Sequence, residues 1–306
     1  MNKLKTLSIL LFTLILAGSG FCQNLNQDNE LKNKVDSLFV LACGGLEKYR
    51  DQAQPAESTL SAMGEKAVPY LLEKLTTQSA REMWTLIRIF GKIGKPAVVP
   101  LIGRLESENK DEIKLTIRIL GEIKDNQAVK PLVNLLDEED YNIRSNVCES
   151  LGKIGDTTAF QEVKQQMEDS VEVVRKSAAV ALGKMKDTRA ISYLISGLSD
   201  PHYSVRMTSA NSLVEIGEPS VKPLLSLLNN STDQTLHLAI ESLGKLKSRQ
   251  AVLPLLEKLK DEDWATRAFA VEALGEIRDP KGIQAIRELK KKETHPFVLS
   301  KIERIK

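Results

Sequence analysis

The constraint that governs this chain is a sentence written several times. "IRSNVCESLGKIGD" (Ile143–Asp156) returns as "VRKSAAVALGKMKD" (Val174–Asp187) and as "TRAFAVEALGEIRD" (Thr266–Asp279). Pro69, Pro100, Pro131, Pro223 and Pro254 fall on the same step of about 31 residues, with Glu162, Tyr193 and Ala285 where proline is missing. Between the proline segment and the closing segment stand polar, acidic breaks such as "DEEDYN" and "KDEDWA". Self-similarity at a fixed period of this size predicts a solenoid of stacked units rather than a globular fold. Both segments repeat apolar residues at i, i+3, i+4 and i+7, so each unit reads as two helices and a turn. The predicted fold is an all-α solenoid of antiparallel helix pairs.

Smaller signals fit that frame. Ala178-Ala179 and its counterparts let neighbouring helices approach closely. A glycine recurs at 91, 121, 152, 183, 244 and 275, where it removes side-chain bulk or helps the helix stop. Asp125, Asp156, Asp187 and Asp279 stand where they cap the next helix. Proline near the start of the first helix is tolerated, because few backbone N–H groups there have an intrahelical partner.

The Ala-Val-x-Pro-Leu-Leu opening, the Val-Arg pair and the Leu-Gly-x-Ile-x-Asp closing resemble the HEAT-repeat class, in particular its short phycobilisome-lyase type. The register runs through seven units over 66–280. It is preceded by N-terminal helices and a degenerate capping half-repeat over 23–65 and followed by a capping unit over 281–306. That last unit, strongly charged and without the Ala pair, suits a repeat with only one neighbour. The resemblance is specific for fold and weak for function, because the scaffold hosts many roles.

The resemblance implies two groups of residues. Arg144, Arg175, Arg206 and Arg267 each follow an acidic residue by six positions, and in the family this spacing makes a ladder that pins repeats together. The ladder is expected to be incomplete at Met83, Ile113 and Leu236. The second helix is implied to line the concave face. Artificial binders built on a similar repeat vary the two positions on either side of the Val-Arg pair and the one five after the Arg. Carried over, these include Tyr141, Asn142, Asn146, Glu149, Tyr203, Met207, Asn211, His237, Glu241, Trp264, Phe269 and Glu272. Tyr141, Tyr203 and Trp264 stand three before the Arg in a chain only 5% aromatic. They read either as rings covering their own turns or as a row of anchors for a protein or peptide. The position five after the Arg is basic early (Arg88, Arg118) and acidic late (Glu241, Glu272), either a solvated face or a charge-graded groove.

Chemistry is poorly represented. His202, His237 and His295 form no pair with metal-ligand spacing, and the His-Glu dipeptide with which some HEAT-like hydroxylases hold iron is missing. No Gly-x-Ser-x-Gly, P-loop or dinucleotide fingerprint is present. No metal and no cofactor is therefore expected. Cys148 takes an Ala-pair position and reads as a small core residue rather than a nucleophile. Cys43 and Cys148, three repeats apart, are expected not to be bridged.

Residues 1–22 read as a bacterial-type secretory signal: Lys3 and Lys5, an apolar run from Leu7 to Ala17, then small residues. Cys22 is open to lipidation, to removal with the signal, or to retention in an uncleaved anchor. Lys+Arg outnumber Asp+Glu by 43 to 41; without Lys3 and Lys5 the balance is 41 to 41. A neutral exported chain has no general electrostatic reason to bind nucleic acid. The expected function is a non-enzymatic interaction scaffold of the cell envelope, periplasmic or secreted, touching a membrane only through the signal or a lipid at Cys22. The alternative is a lyase- or chaperone-like protein acting on a chromophore or cofactor ligand.

Overall fold

A computed structural model describes residues 27–44, 50–229 and 233–305. The signal segment 1–22 and Cys22 lie outside the described residues. Every described element is an α-helix or a 3₁₀ turn. None of these helices is long and apolar enough to cross a membrane. The chain divides into two compact units, Met1–Ile119 and Leu120–Lys306.

The first unit holds a helix over 27–43 (α1), then α2 (Arg50–Ala62), α3 (Val68–Leu72), α4 (Ala80–Ile93), α5 (Val98–Ile102) and most of α6 (Lys110–Ile123). α2 packs on α4. Glu57, 2% exposed on α2, receives both Arg88 (2.9 Å) and Lys92 (2.8 Å) of α4. Burial raises the Glu57 pKa, and these two cations more than reverse that, leaving it lowered.

The second unit alternates short and long helices. The short ones are α7 (Val129–Val133), α9 (Phe160–Gln165), α11 (Ile191–Gly197), α13 (Val221–Leu227) and α15 (Val252–Lys258). Each is followed by a long one: α8 (Tyr141–Ile154), α10 (Glu172–Met185), α12 (Tyr203–Ile216), α14 (Asp233–Lys245) and α16 (Trp264–Ile277). α17 (Pro280–Lys290) and α18 (Pro296–Glu303) end the unit. The long helices pack in chain order, α8 on α10, then α12, α14, α16 and α18, with each short helix against the long one that follows it.

The long helices form because their apolar stripe is broad and continuous. In α10 Val174, Ala178, Ala179, Ala181 and Leu182 are all fully buried. The recurring glycine lies inside the helix, and its role is close approach. A Cβ at Gly152 would stand 2.6 Å from the Ala181 Cα, and one at Gly183 2.6 Å from the Ser212 Cβ. Glycine in a helix interior costs about 1 kcal/mol against alanine; here it permits the close packing that offsets this. Helix termination falls three residues later, at Gly155 (φ 76°) and its counterpart Lys186 (φ 51°).

The first helices depart from the sequence expectation. From α7 to α15 each begins as a 3₁₀ turn, such as Asn126–Ala128 or Thr157–Ala159, and becomes α-helical only at the residue after its Ala, or after Ser220 in α13. The aspartates cap those turns rather than α-helices: Asp125 accepts from the Gln127 N–H (2.9 Å), Asp156 from Thr158 (2.8 Å) and Asp187 from Arg189 (2.9 Å). Asp279 caps α17 directly. The proline, third in α7, α13 and α15, falls where the backbone donors would be unpaired anyway.

Candidate functional site

The arginines that follow the acidic turns are built into the scaffold. The Arg144 guanidinium is bidentate on Asp169 (2.8 and 3.1 Å), and its other terminal nitrogen donates to the Glu138 and Glu139 carbonyls (2.6 and 3.0 Å). Arg175 repeats this on Asp200 (2.7 and 3.1 Å) and on the carbonyls of Asp169 and Ser170 (2.8 and 3.2 Å). Arg267 does so on Glu293 (2.7 and 2.9 Å) and on the Asp261 and Glu262 carbonyls. The turns at Asp169 and Asp200 therefore each serve two arginines, the carbonyl taking the one that follows and the carboxylate the one from the repeat before. Arg206 makes only the carbonyl bonds, to Asp200 (2.8 Å) and Pro201 (2.9 Å); the residue 25 positions on is Ser231, not an acid. Leu236 stands where Asp261 would otherwise receive an arginine, and the cation beside the Asp261 carboxylate is Lys258 of its own repeat (3.8 Å).

Electrostatics follow the geometry. Burial pushes the Asp169 and Asp200 pKa values up, but bonds from Arg144 and Arg175 and from backbone N–H groups leave both lowered. Hydrogen bonds from Arg267 hold Glu293 at about 2. Cys148 is buried, and burial pushes its thiol up to about 12, the opposite of an activated nucleophile. Both Cys43 and Cys148 are free thiols.

The other sequence-selected residues fall into three groups on the second unit. Tyr141, Tyr203 and Trp264 each open a long helix and are 43%, 68% and 42% exposed. Since those helices stack in order, the three rings share one edge. Asn142 is exposed beside Tyr141, its amide on Asp140 (3.0 Å). Asn146 and Met207 are half-buried, and Glu149 is exposed with the Ser177 hydroxyl on it (3.3 Å). Asn211 accepts from Lys245 (3.3 Å), which also pairs with Glu241 (2.7 Å). Glu272 is paired with Lys301. His237 is held between the Thr266 hydroxyl (3.0 Å), the Asp263 carboxylate (3.3 Å) and the Phe269 ring stacked at 4.7 Å.

Trp264 is not a solitary ring. His295 stacks on it at 4.4 Å and Phe297 meets it edge-on at 5.4 Å. Sequence reasoning missed both partners, because they lie in the terminal unit, beyond the repeat register. It also missed Trp84 in the first unit, 55% exposed with the Arg118 guanidinium 4.7 Å from its centre. The early cations of the expected charge gradient are thus engaged within their own unit, Arg88 on Glu57 and Arg118 on Trp84. Among the described residues, no group of three or more His, Cys, Asp or Glu is arranged to hold a metal ion.

Comparison with known proteins decides the class. The family model for HEAT repeats matches residues 98–183, 162–236 and 221–304, together more than half of the chain. The chain belongs to the HEAT-repeat family. The X-ray structure of YibA from Escherichia coli is similar to this HEAT-repeat chain at 19% identity, with a TM-score of 0.51 over 81% of this chain and 96% of that one. The CpcE–CpcF complex of phycocyanin lyase from Nostoc sp. PCC7120 has 19% identity and a TM-score of 0.43, covering 73% of this chain and 93% of that one. Human deoxyhypusine hydroxylase in complex with glycerol has 20% identity and a TM-score of 0.38, covering 79% and 96%. At these identities the likeness is one of fold. No curated protein matches the chain.

Proposed function

We propose that this HEAT-repeat chain is a non-enzymatic interaction scaffold of the bacterial cell envelope, periplasmic or secreted, which holds a protein or peptide on the concave face, along its long helices. The observation that carries the reading is the exposed pair Tyr141 and Tyr203, at equivalent positions of stacked helices, the Tyr203 ring with the Arg206 guanidinium 5.8 Å from its centre. Tyrosine supplies large contact area at low entropic cost and is enriched among interface residues that dominate affinity. Trp264 extends the row from a ring cluster that already orients it. Asn142, Asn146, Glu149, Met207, Asn211, His237, Glu241, Phe269 and Glu272 supply the polar and apolar surface around these anchors. Export rests on residues 1–22, with lipidation of Cys22 the one membrane attachment beyond the signal.

The test is the double change Tyr141→Ala/Tyr203→Ala in the full chain. Capture of the envelope partner should fall at least about tenfold, as for loss of interface anchors, while the thermal midpoint stays within about 2 °C, as for surface changes. Unaltered capture refutes the anchor role. Mass spectrometry of the exported form separates a lipid-bearing Cys22 from plain cleavage.

A further inference from the structure

The Arg175 guanidinium has every N–H engaged, and the last of them depends on His202. Its Nε and one Nη2 hydrogen go to the Asp200 carboxylate (2.7 and 3.1 Å), and its Nη1 hydrogens go to the Asp169 and Ser170 carbonyls (2.8 and 3.2 Å). The second Nη2 hydrogen meets His202 Nδ1 at 3.0 Å. A guanidinium has five donors and no acceptor, so Nδ1 accepts and carries no hydrogen. The hydrogen of the neutral ring is therefore on Nε2, which lies 2.9 Å from the Glu172 carboxylate. The ring makes no capping bond to α12, although His202 stands at its N-cap.

The other bidentate rungs lack this contact. In the Arg144 rung Val171 stands two residues after the acid, where His202 stands after Asp200, and the Arg144 Nη2 reaches only Asp169 (3.1 Å). In the Arg267 rung His295 again follows the acid by two, but its ring lies flat on Trp264 at 4.4 Å and its buried Nδ1 has no hydrogen-bond partner. The first residue of the preceding long helix accounts for the difference, Glu172 in α10 against Trp264 in α16. A carboxylate draws the N–H edge of an imidazole, whereas an indole draws its face. The charged and titratable groups around His202 are few. α10 brings Glu172 and Arg175, its own turn Asp200, and α12 Tyr203 and Arg206, the latter on the Asp200 and Pro201 carbonyls. α11 carries no acid or base except Tyr193, whose ring lies by Phe160 and Lys164, and α14 opens at Asp233.

Protonation reverses the role of Nδ1. Histidine is the side chain whose charge changes between pH 5 and 8, and an imidazolium carries a hydrogen on both nitrogens. The Nδ1–H then faces an Arg175 N–H at 3.0 Å, donor against donor and cation against cation. An acceptor within reach is Asp200 Oδ1, 3.6 Å from Nδ1, but that oxygen already holds Arg175 and the His202 backbone N–H (2.8 Å). The compensating attraction to Glu172 is small, because the His202 and Glu172 side chains are 50% and 40% exposed and solvent screens them. We propose that His202 is a pH-operated member of the arginine ladder, accepting from Arg175 when neutral and competing with Arg175 for Asp200 Oδ1 when protonated, so that acid weakens the α10–α12 rung and leaves the α8–α10 rung unchanged. The switch lies in the scaffold itself and works whatever partner the long helices hold.

The experiment is nitrogen–proton correlation NMR of the full chain, titrated between about pH 8 and 5, with the histidine rings and the arginine Nε–H signals followed in the same samples. The chain has three histidines, so the ring spectrum is simple, and His202→Asn assigns its signal by loss. At the alkaline end the His202 ring should carry its one hydrogen on Nε2. On acidification it should gain the second on Nδ1, and the Arg175 Nε–H signal, located by its loss in Arg175→Lys, should shift along the same curve. Asp200 is held below 3.8 and keeps its charge throughout this window, so it does not supply that shift. The Arg144 signal, with Val171 in place of a histidine, should stay fixed. In His202→Asn the amide oxygen accepts at every pH, and in His202→Ala nothing accepts, so in both variants the Arg175 signal should lose its pH response. A neutral His202 ring with its hydrogen on Nδ1 overturns the proposal. So does an Arg175 signal that stays fixed in wild type, that still moves in both variants, or that moves no more than that of Arg144.

Discussion

Arg175 and Arg206 offer an internal comparison that measures what the carboxylate rung contributes. Arg175 donates to the Asp200 carboxylate, to the His202 ring nitrogen (3.0 Å) and to two carbonyls, whereas Arg206 donates to two carbonyls alone. The Arg175 and Asp200 side chains are 11% and 10% exposed, so solvent screens the pair weakly. Arg175→Ala strands a buried carboxylate, a change that costs about 3–5 kcal/mol when one partner of a buried pair is removed. Arg206→Ala loses charge-assisted bonds to carbonyls at the edge of solvent, worth about 1–2 kcal/mol. Urea unfolding followed by far-ultraviolet circular dichroism should therefore separate the two variants by about 2–3 kcal/mol at neutral pH. The gap should also titrate. Asp200 is held below its ordinary 3.8 in the folded state, so its contribution is complete above that value and is lost as pH falls through the lower folded value. Equal losses in both variants at neutral pH, or a gap that persists once Asp200 is protonated, would refute the reasoning.

Further outcomes follow from the same contacts. Gly183→Ala should destabilise by about 1–3 kcal/mol through overpacking on Ser212, although propensity alone favours alanine by about 1 kcal/mol; Gly103→Ala, where an added Cβ meets nothing within 4 Å, should be neutral or stabilising in the same denaturation assay. Glu293, held at about 2 by Arg267 against an ordinary 4.5, contributes stability that is complete above about 4.5 and lost as pH falls towards about 2. Thermal melts across that window should fall steeply for wild type and more shallowly for Arg267→Gln, and identical slopes would contradict the pairing.

How much of this was legible in the sequence depends on whether a feature is local to one repeat. The helix pairs and the capping aspartates were readable, because apolar spacing and Asp125, Asp156 and Asp187 act within a few residues of themselves. The recurring glycine left two roles open, and only the 2.6 Å approach of Gly152 to Ala181 across the stack decides for bulk over termination. The 3₁₀ starts of the first helices were missed, since alternation between 3₁₀ and α over three residues leaves no periodic trace. The acid six before each arginine was visible, but not the bidentate bond to the acid 25 residues ahead. The partner-face residues were chosen by register, and register could not say that Trp264 rests on His295 and Phe297 while Tyr203 carries the guanidinium of Arg206.

The central claim is that the long-helix face, and not merely any exposed apolar residue, holds a protein. Tyr203 on α12 and Leu253 on α15 are 68% and 66% exposed in the same unit, one on a long helix and one on a short helix. A photo-crosslinking amino acid placed at position 203 or at position 253 of the exported chain, irradiated in intact cells, tests the claim with exposure held constant. The account predicts one discrete cross-linked protein from position 203 and none from position 253. The same band from both positions, or no band from 203, contradicts it.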